Sequence, residues 1–428
     1  MTYDYIIVGG GISGLYAAYR ILESTAKNDS KKILLLEKNK PRWIGGRMGS
    51  YPFHGVDVSI GAGIGRKKKD KLLIALMKEL DVSYREIHVT SQIADNIEYS
   101  ADVSYIVSLL RQEFLRLEKG EPDKNGVRGL TFKQFALPIL GKKVYDTFLM
   151  TCGYTDFENE DLYETLYYYG MDDNTSGWTG LSIPWRTLLH ALLKKLENKV
   201  EIKYSTLVSE LVGKDSGSEF VVKTESGSSK QSYSCKNVIL ATTVDTVRKL
   251  LPHHKIYNDI VGQPFLRIYG KFSKECIPIM REHFSVGTMV KGAIHRIIPM
   301  NIDSGIYMIV YTDNKGALAL KKHIDNNFKN REYFCRFIEK SCDLPAGSLF
   351  LTDMISFYWD IGTHYYKPLT TSDGSKEGSN ETSNETSRKD FIYNAQHPLP
   401  GIYVVGEMVS RNQGWVEGAL ESVLAVAL

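Results

Sequence analysis

Three clusters of residues have the types and spacing of a dinucleotide site. Residues 9–14 read Gly-Gly-Gly-Ile-Ser-Gly and fit G-x-G-x-x-G. Gly9 permits a tight turn, Gly11 lets backbone approach a pyrophosphate, and Gly14 lets the next helix pack on the strand. Ile12 and Ser13 open that helix, whose free N–H groups and partial positive charge face the phosphates. Glu37, followed by Lys38, ends the next apolar run. It lies about twenty residues on, where a carboxylate accepts hydrogen bonds from ribose hydroxyls. Gly45-Gly46-Arg47 adds a second glycine pair and a guanidinium whose fork suits the oxygens of the same diphosphate.

The third cluster closes the chain. Gly406-Glu407 follows the apolar run 402–405. It therefore sits at the carboxyl end of a strand, where α/β folds bind cofactors. A helix from about Trp415 would aim its N-terminus at the same ligand and stabilise negative charge there. Val416 would offer backbone to that ligand, while Gly418 and Ala419 would allow close approach. Glu417 reads as a solvated helix glutamate.

The elements needed to hold these residues are legible around them. Residues 5–8 and 33–36 are short apolar strands, and a helix runs from the glycine loop through Leu22. Residues 72–117 and 132–170 read as mainly helical, and 188–196 is a strong amphipathic helix. Segments 200–204, 207–212, 220–224, 238–241, 265–272 and 306–311 read as strands. Residues 370–390, almost entirely Ser, Thr, Asn, Glu, Gly and Lys, have nothing to bury and read as a mobile surface loop. A dinucleotide signature at one end and a site-like segment at the other imply one cofactor domain built from separated pieces, with a second domain inserted.

At this point the chain resembles the flavin-containing amine oxidases, a family of glutathione-reductase-like flavoproteins. The resemblance rests on the acid followed by G-G-R, on Asp57 to Gly63, and on the closing G-E-x-x-S, G-W-V-E-G-A and S of residues 406–422. It implies an α/β, two-domain FAD flavoprotein. A Rossmann-type FAD domain would comprise residues 1–70, 180–255 and 390–428, and an α+β substrate domain 71–179 and 256–369. Gly61 and Ala62 would pass close to the isoalloxazine, Leu207 would hold adenine through its backbone, and Glu407 would bond the ribityl or phosphate region. Trp415 and Tyr365, with Tyr366 as the alternative, would form an aromatic cage that excludes water and favours a neutral amine. His364 falls near the register of covalent attachment in monoamine oxidases, but the expectation is non-covalent FAD. Arg267 stands where the family has a lysine that holds water against the flavin, with Lys271 four residues on. The implied activity is oxidation of an amine or amino acid to an imine, with oxygen reduced to hydrogen peroxide. A desaturase or porphyrinogen-oxidase-like dehydrogenase, and an FAD-bound protein without oxidase activity, stay open beside it.

Composition narrows the classes further. The chain has 428 residues, 43% hydrophobic and 24% charged, with net charge +3, so nothing points to a nucleic-acid partner. Five cysteines without a C-x-x-C pair suit a reduced intracellular protein, and the N-terminus lacks the basic region of a secretory signal. No apolar run approaches the ~20 residues of a membrane span. The expectation is a soluble cytoplasmic enzyme with no metal-ligand cluster, whose partners are a small amine and oxygen; its oligomeric state is left open. Arg66-Lys67-Lys68-Lys69 reads as a solvated helix entrance, or alternatively as a funnel for anionic substrates that would serve a polyamine poorly. Asn174, Asn380 and Asn384 head glycosylation-type triplets that stay idle without a secretory route.

Overall fold

Ile6 and Ile7 are fully buried and Val8 nearly so, as a central parallel strand requires. A computed structural model describes residues 2–24, 31–120, 127, 129–171, 177–213, 219–369 and 383–426. Thr2–Val8 lies between Ile33–Leu36 and the far half of Ser229–Leu240, parallel to both, with Ile7 opposite Leu35 and Ile239. Val200–Lys203 extends the sheet beyond Ile33–Leu36, and Ile402–Val404 pairs in parallel with Ser229–Leu240. Leu207–Gly213 and Phe220–Ser226 join Ser229–Leu240 as an antiparallel meander, completing seven strands.

Both faces of this sheet are covered, which is why its central strands are almost wholly apolar. One face packs on the helices Ile12–Ser24, Lys71–Glu79, Trp185–Leu196 and Val416–Ala425. The other packs on Val244–Leu250 and on residues from the end of Ser383–Gln396.

A six-stranded sheet runs Leu351–Tyr366, Ile260–Phe272, Ile306–Asp313, Arg296–Asn301, Gly287–Met289, Ser91–Ile93. All its neighbours are antiparallel except the last pair. Helices Ile277–His283, Asn314–Leu320 and Phe328–Ser341 contribute to the core on one side. On the other side the hairpin Ser50–Phe53/Val56–Ser59 packs against Tyr269, Met308 and Phe357. Helices Val103–Gly120, Phe132–Cys152 and Leu162–Tyr167 form a cluster of their own.

Two readings of the sequence are corrected here. The helical stretch 72–117 is interrupted: Arg85–Val89 and Ser91–Ile93 are strands between the helices Lys71–Glu79 and Val103–Gly120. Arg85–Val89 pairs with Trp178–Ser182, a partner about ninety residues away that local spacing does not reveal. The polar stretch 370–390 is not all loop. Residues 370–382 lie outside the described residues, but the helix Ser383–Gln396 begins inside the stretch. Its Arg388 is 1% exposed, stacks over Tyr366 and pairs with Asp161 at 3.2 Å.

Among the described residues no helix is long and apolar enough to cross a membrane, and no group of three or more His, Cys, Asp or Glu side chains could hold a metal. All five cysteines are free thiols. Asn174 and Asn380 lie outside the described residues.

Candidate active site

The glycine loop joins the first strand to the first helix. A Cβ on Gly14 would stand 2.0 Å from the Gly9 carbonyl oxygen, so only glycine lets helix and loop approach this closely. Ile12 and Ser13, the first residues of Ile12–Ser24, are buried against the sheet. Gly11 is the exception to this crowding: a Cβ there would meet nothing within 4 Å. Gly46, with φ +60°, faces the same opening, and a Cβ on it would find the Cα of Gly11 at 3.6 Å. Gly45 is bridged to Gly11, and its N–H donates to Gly10 O at 2.8 Å. The two glycine turns are therefore physically one cradle.

Glu37 is buried at the end of Ile33–Leu36. Its carboxylate accepts from Gly10 N at 2.7 Å and from Asn39 N at 2.7 Å, which ties it to the cradle. Lys38 beside it is exposed. Thr206 N donates to Glu37 O at 2.9 Å, which places Leu207 at this end of the sheet with 46% of its surface exposed. Leu207 is thus not a core leucine.

Arg47 reaches from the second glycine turn to the far end of the chain. Its Nη1 donates to Glu407 Oε1 at 2.7 Å and to Gly362 O at 2.9 Å. Glu407 is buried, and its second oxygen accepts from Gly414 N at 3.0 Å. His364, which local spacing did not assign to this cluster, completes it. Its Nδ1 lies 2.5 Å from Glu407 Oε1, and its Nε2 accepts from Val244 N at 3.3 Å. That acceptor role leaves the proton on Nδ1, donated to Glu407. Burial alone would raise the Glu407 pKa, but His364 and Arg47 outweigh it and hold the carboxyl at about 2. The sequence had pointed to His364 only through the register of covalent flavin attachment, not as a partner of Glu407.

Gly61 and Ala62 run beside Arg47, with Ala62 N donating to Arg47 O at 2.9 Å. Gly406 precedes Glu407, and its N–H donates to Ser422 Oγ at 2.8 Å. Trp415 caps the helix Val416–Ala425, whose Val416 and Ala419 are buried. The Trp415 indole Nε1 donates to Asp70 Oδ2 at 2.8 Å, and its ring meets Trp185 edge-on at 6.2 Å. The Arg66 guanidinium lies 5.7 Å from the same ring and pairs with the fully buried Asp70. Lys67 pairs with Glu86 at 2.7 Å, so both Arg66 and Lys67 of the basic run are engaged with acids.

Glu417 corrects the sequence reading. It is 8% exposed, and its carboxylate accepts from Leu72 N at 2.7 Å and Leu73 N at 3.0 Å, capping Lys71–Glu79 from 345 residues away. Glu417→Ala leaves two helix-end N–H groups without that acceptor. It is expected to lower unfolding free energy by about 1–2 kcal/mol in urea denaturation at pH 7. A loss under about 0.5 kcal/mol would return Glu417 to the role of an ordinary surface residue.

Arg267 is 3% exposed, donates to Ser59 Oγ at 2.6 Å, and lies 4.7 Å from the Tyr311 ring centre and 5.5 Å from that of Phe265. It faces Gly63, where a Cβ would stand 3.0 Å from Nη2, and its Nε has no partner among the described residues. Lys271 does not share this place. It lies past a register shift in the pairing with Ile306–Asp313, and its Nζ turns to Ser304 O.

Tyr365 is half-buried and lines a small pocket with Asp156, Glu160, Gln263, Gln413 and Gly414. Tyr366 points elsewhere: it is 1% exposed and donates to Ser410 O at 3.0 Å. The cavity reaches Gly414, the residue before Trp415, although no ring contact joins Trp415 to Tyr365 among the described residues.

Residues 7–80 match the family model of the NAD(P)-binding Rossmann-like domain. Over 98% of its length the chain is 23% identical to an uncharacterized protein of Acanthamoeba polyphaga mimivirus, the match spanning 92% of that protein. With the cradle at Gly11 and Gly46, this match makes the opening segment a Rossmann-like dinucleotide-binding domain of the kind oxidoreductases use.

Proposed function

We propose that the chain is an FAD-dependent oxidoreductase that oxidises an amine to an imine. The observation that carries this reading is the meeting of Gly45-Gly46-Arg47 with both the glycine loop and Glu407. A plain NAD fold needs only the first loop and its acid. Here a second turn and a carboxylate from the end of the chain converge on the same ligand space, as the flavoprotein resemblance implies. The open positions at Gly11 and Gly46 fit a pyrophosphate where a Cβ would intrude.

In this reading Gly9, Gly11, Ile12, Ser13, Gly14, Gly45, Gly46 and Arg47 hold the diphosphate. Glu37, Lys38 and Leu207 hold the adenosine, and Glu407 the ribityl chain. Gly61, Ala62, Trp415, Val416 and Ala419 line the isoalloxazine. The cofactor domain would comprise residues 1–70, 180–255 and 390–428, with 71–179 and 256–369 shaping the substrate side. Bound FAD would supply the acceptor for a hydride and pass the electrons to oxygen, giving peroxide. The chain supplies orientation and dryness. Trp415 and Tyr365 flank the substrate, and the helix Val416–Ala425 offers its positive end to negative charge on the ring. The imine product then needs only water for hydrolysis.

The test is direct. Purified protein is expected to be yellow with about one FAD per chain, and one or more members of an amine panel should bleach it without oxygen. Admitting air should then yield peroxide. Colourless protein that takes up no FAD removes the reading. Bleaching without peroxide selects a dehydrogenase with another acceptor, the reading that Arg267 favours because it cannot act as a base. Arg267→Lys is accordingly expected to raise reoxidation by oxygen about tenfold while anaerobic bleaching changes less than about twofold in stopped-flow absorbance. No gain in oxygen reactivity would detach Arg267 from that step.

A further inference from the structure

Two helix starts exchange their acceptors beside the proposed reaction space. Asp70 stands at the N-cap of the helix Lys71–Glu79, where an aspartate ordinarily accepts from the backbone N–H groups two and three residues on. Its side chain makes no such bond. Leu72 N and Leu73 N donate instead to Glu417, in the first turn of Val416–Ala425. Asp70 in return accepts at Oδ2 from the indole Nε1 of Trp415, the N-cap residue of that second helix, at 2.8 Å. The same oxygen accepts from Arg66 N at 2.6 Å, and Oδ1 accepts from the Arg66 guanidinium at 3.1 Å. Asp70 is fully buried, so packing leaves its carboxylate little room to turn. An N–H bond to an ionised carboxylate is roughly twice as strong as one between neutral groups. The ring also meets Trp185, whose own indole N–H donates to Gly63 O at 2.9 Å. Were Asp70 to cap its own helix, the Trp415 indole would lose its charged acceptor and the ring one of these two anchors.

We propose that Asp70 is a positioning residue, one that sets the plane of the Trp415 ring and acts on the reaction only through that ring. The exchange frees it for this task, because Glu417 meets the helix-end N–H groups that Asp70 leaves. The inference rests on the amine-oxidising reading for its effect on turnover, while its effect on the ring stands apart from that reading.

The test is a double-mutant cycle of Asp70→Ser and Trp415→Phe. It is read by near-ultraviolet circular dichroism of the tryptophans and by anaerobic bleaching with an amine that bleaches the native protein. Serine is a good N-cap, so Lys71–Glu79 keeps its start in the variant. Trp415→Phe should remove the signal of the edge-on pair Trp185 and Trp415. Asp70→Ser alone should lose most of the same signal, and nothing further in the Trp415→Phe background. Bleaching should slow about tenfold on Asp70→Ser in the native background and less than about twofold in the Trp415→Phe background. Equal slowing in both backgrounds would mean a general structural role and overturns the proposal, as does a native tryptophan signal in Asp70→Ser. If Asp70→Ser does not fold, Asp70→Asn takes its place, keeping an oxygen for the indole but not the charge. It should lose less signal and slow bleaching about threefold, with no effect in the Trp415→Phe background. A protein that no amine bleaches removes the amine-oxidising reading, and the dichroism alone then decides for or against Asp70.

Discussion

Glu407→Ala is expected to yield protein without FAD and with sharply reduced stability. The Glu407 carboxylate is the acceptor for Arg47, His364 and Gly414 at once, in a buried position. Removing it leaves the Arg47 guanidinium, 29% exposed, without its acid and the His364 Nδ1–H without an acceptor. Breaking a buried ion pair from one side costs about 3–5 kcal/mol, and this loss would fall on the junction that closes the two ends of the chain. Glu407→Gln keeps the shape and part of the hydrogen bonding, so it separates packing from charge. The charge has a pH signature. The folded carboxyl sits at about 2, below its ordinary 4.5, so its ionised form is the stabilised one. Its contribution is fully present above about 4.5 and is lost as pH falls toward 2, a change on the order of 3 kcal/mol. Urea denaturation at pH 7 and pH 3 should show this loss in the native protein and a flatter profile in Glu407→Gln. Parallel profiles would mean that Glu407 is not the acid-sensitive group, and retained FAD in Glu407→Ala would remove it from the cofactor site.

What the sequence made legible was local. The turn at residues 9–14, the run ending at Glu37 and the helix after Trp415 are each written in a few adjacent residues, because glycine spacing and apolar runs act within one element. What escaped depended on partners far away in the chain. Glu417 reads as a surface residue until Leu72 and Leu73 are brought beneath it. Arg388 sits in a stretch too polar to bury anything on its own, yet Asp161 and the Tyr366 ring admit it to the interior. The strands at 85–93 answer to Trp178–Ser182 and Gly287–Met289, not to their own periodicity. Asp156, Glu160 and Gln263 carry no motif; only the fold turns them toward the space beside Tyr365. Choosing between Tyr365 and Tyr366 needed nothing more than the alternation of a strand, once the neighbours on each face were known.

Trp415→Ala is expected to keep FAD bound while anaerobic bleaching by amines slows at least about a hundredfold, a barrier increase of about 2.7 kcal/mol. The expectation of retained flavin comes from the backbone. Trp415 is extended, with φ −143° and ψ 162°, a conformation alanine adopts freely, so the helix Val416–Ala425 can start where it does now. Asp70 loses the indole donor but keeps the Arg66 backbone N–H at 2.6 Å and its guanidinium at 3.1 Å, so no buried charge is abandoned. The expectation of lost turnover comes from the ring. Its edge is pinned by Asp70 and its side by Trp185, so its plane is fixed before substrate arrives. Such preorganisation lets an aromatic wall hold an amine in one orientation and exclude water around it. Trp415→Phe separates the two contributions: it restores an apolar face but cannot donate to Asp70, so the ring is free to tilt and turnover should fall about tenfold. Turnover within about twofold of the native rate in Trp415→Ala would take this ring out of the reaction space, and the substrate wall would then have to be sought on the Tyr365 side alone.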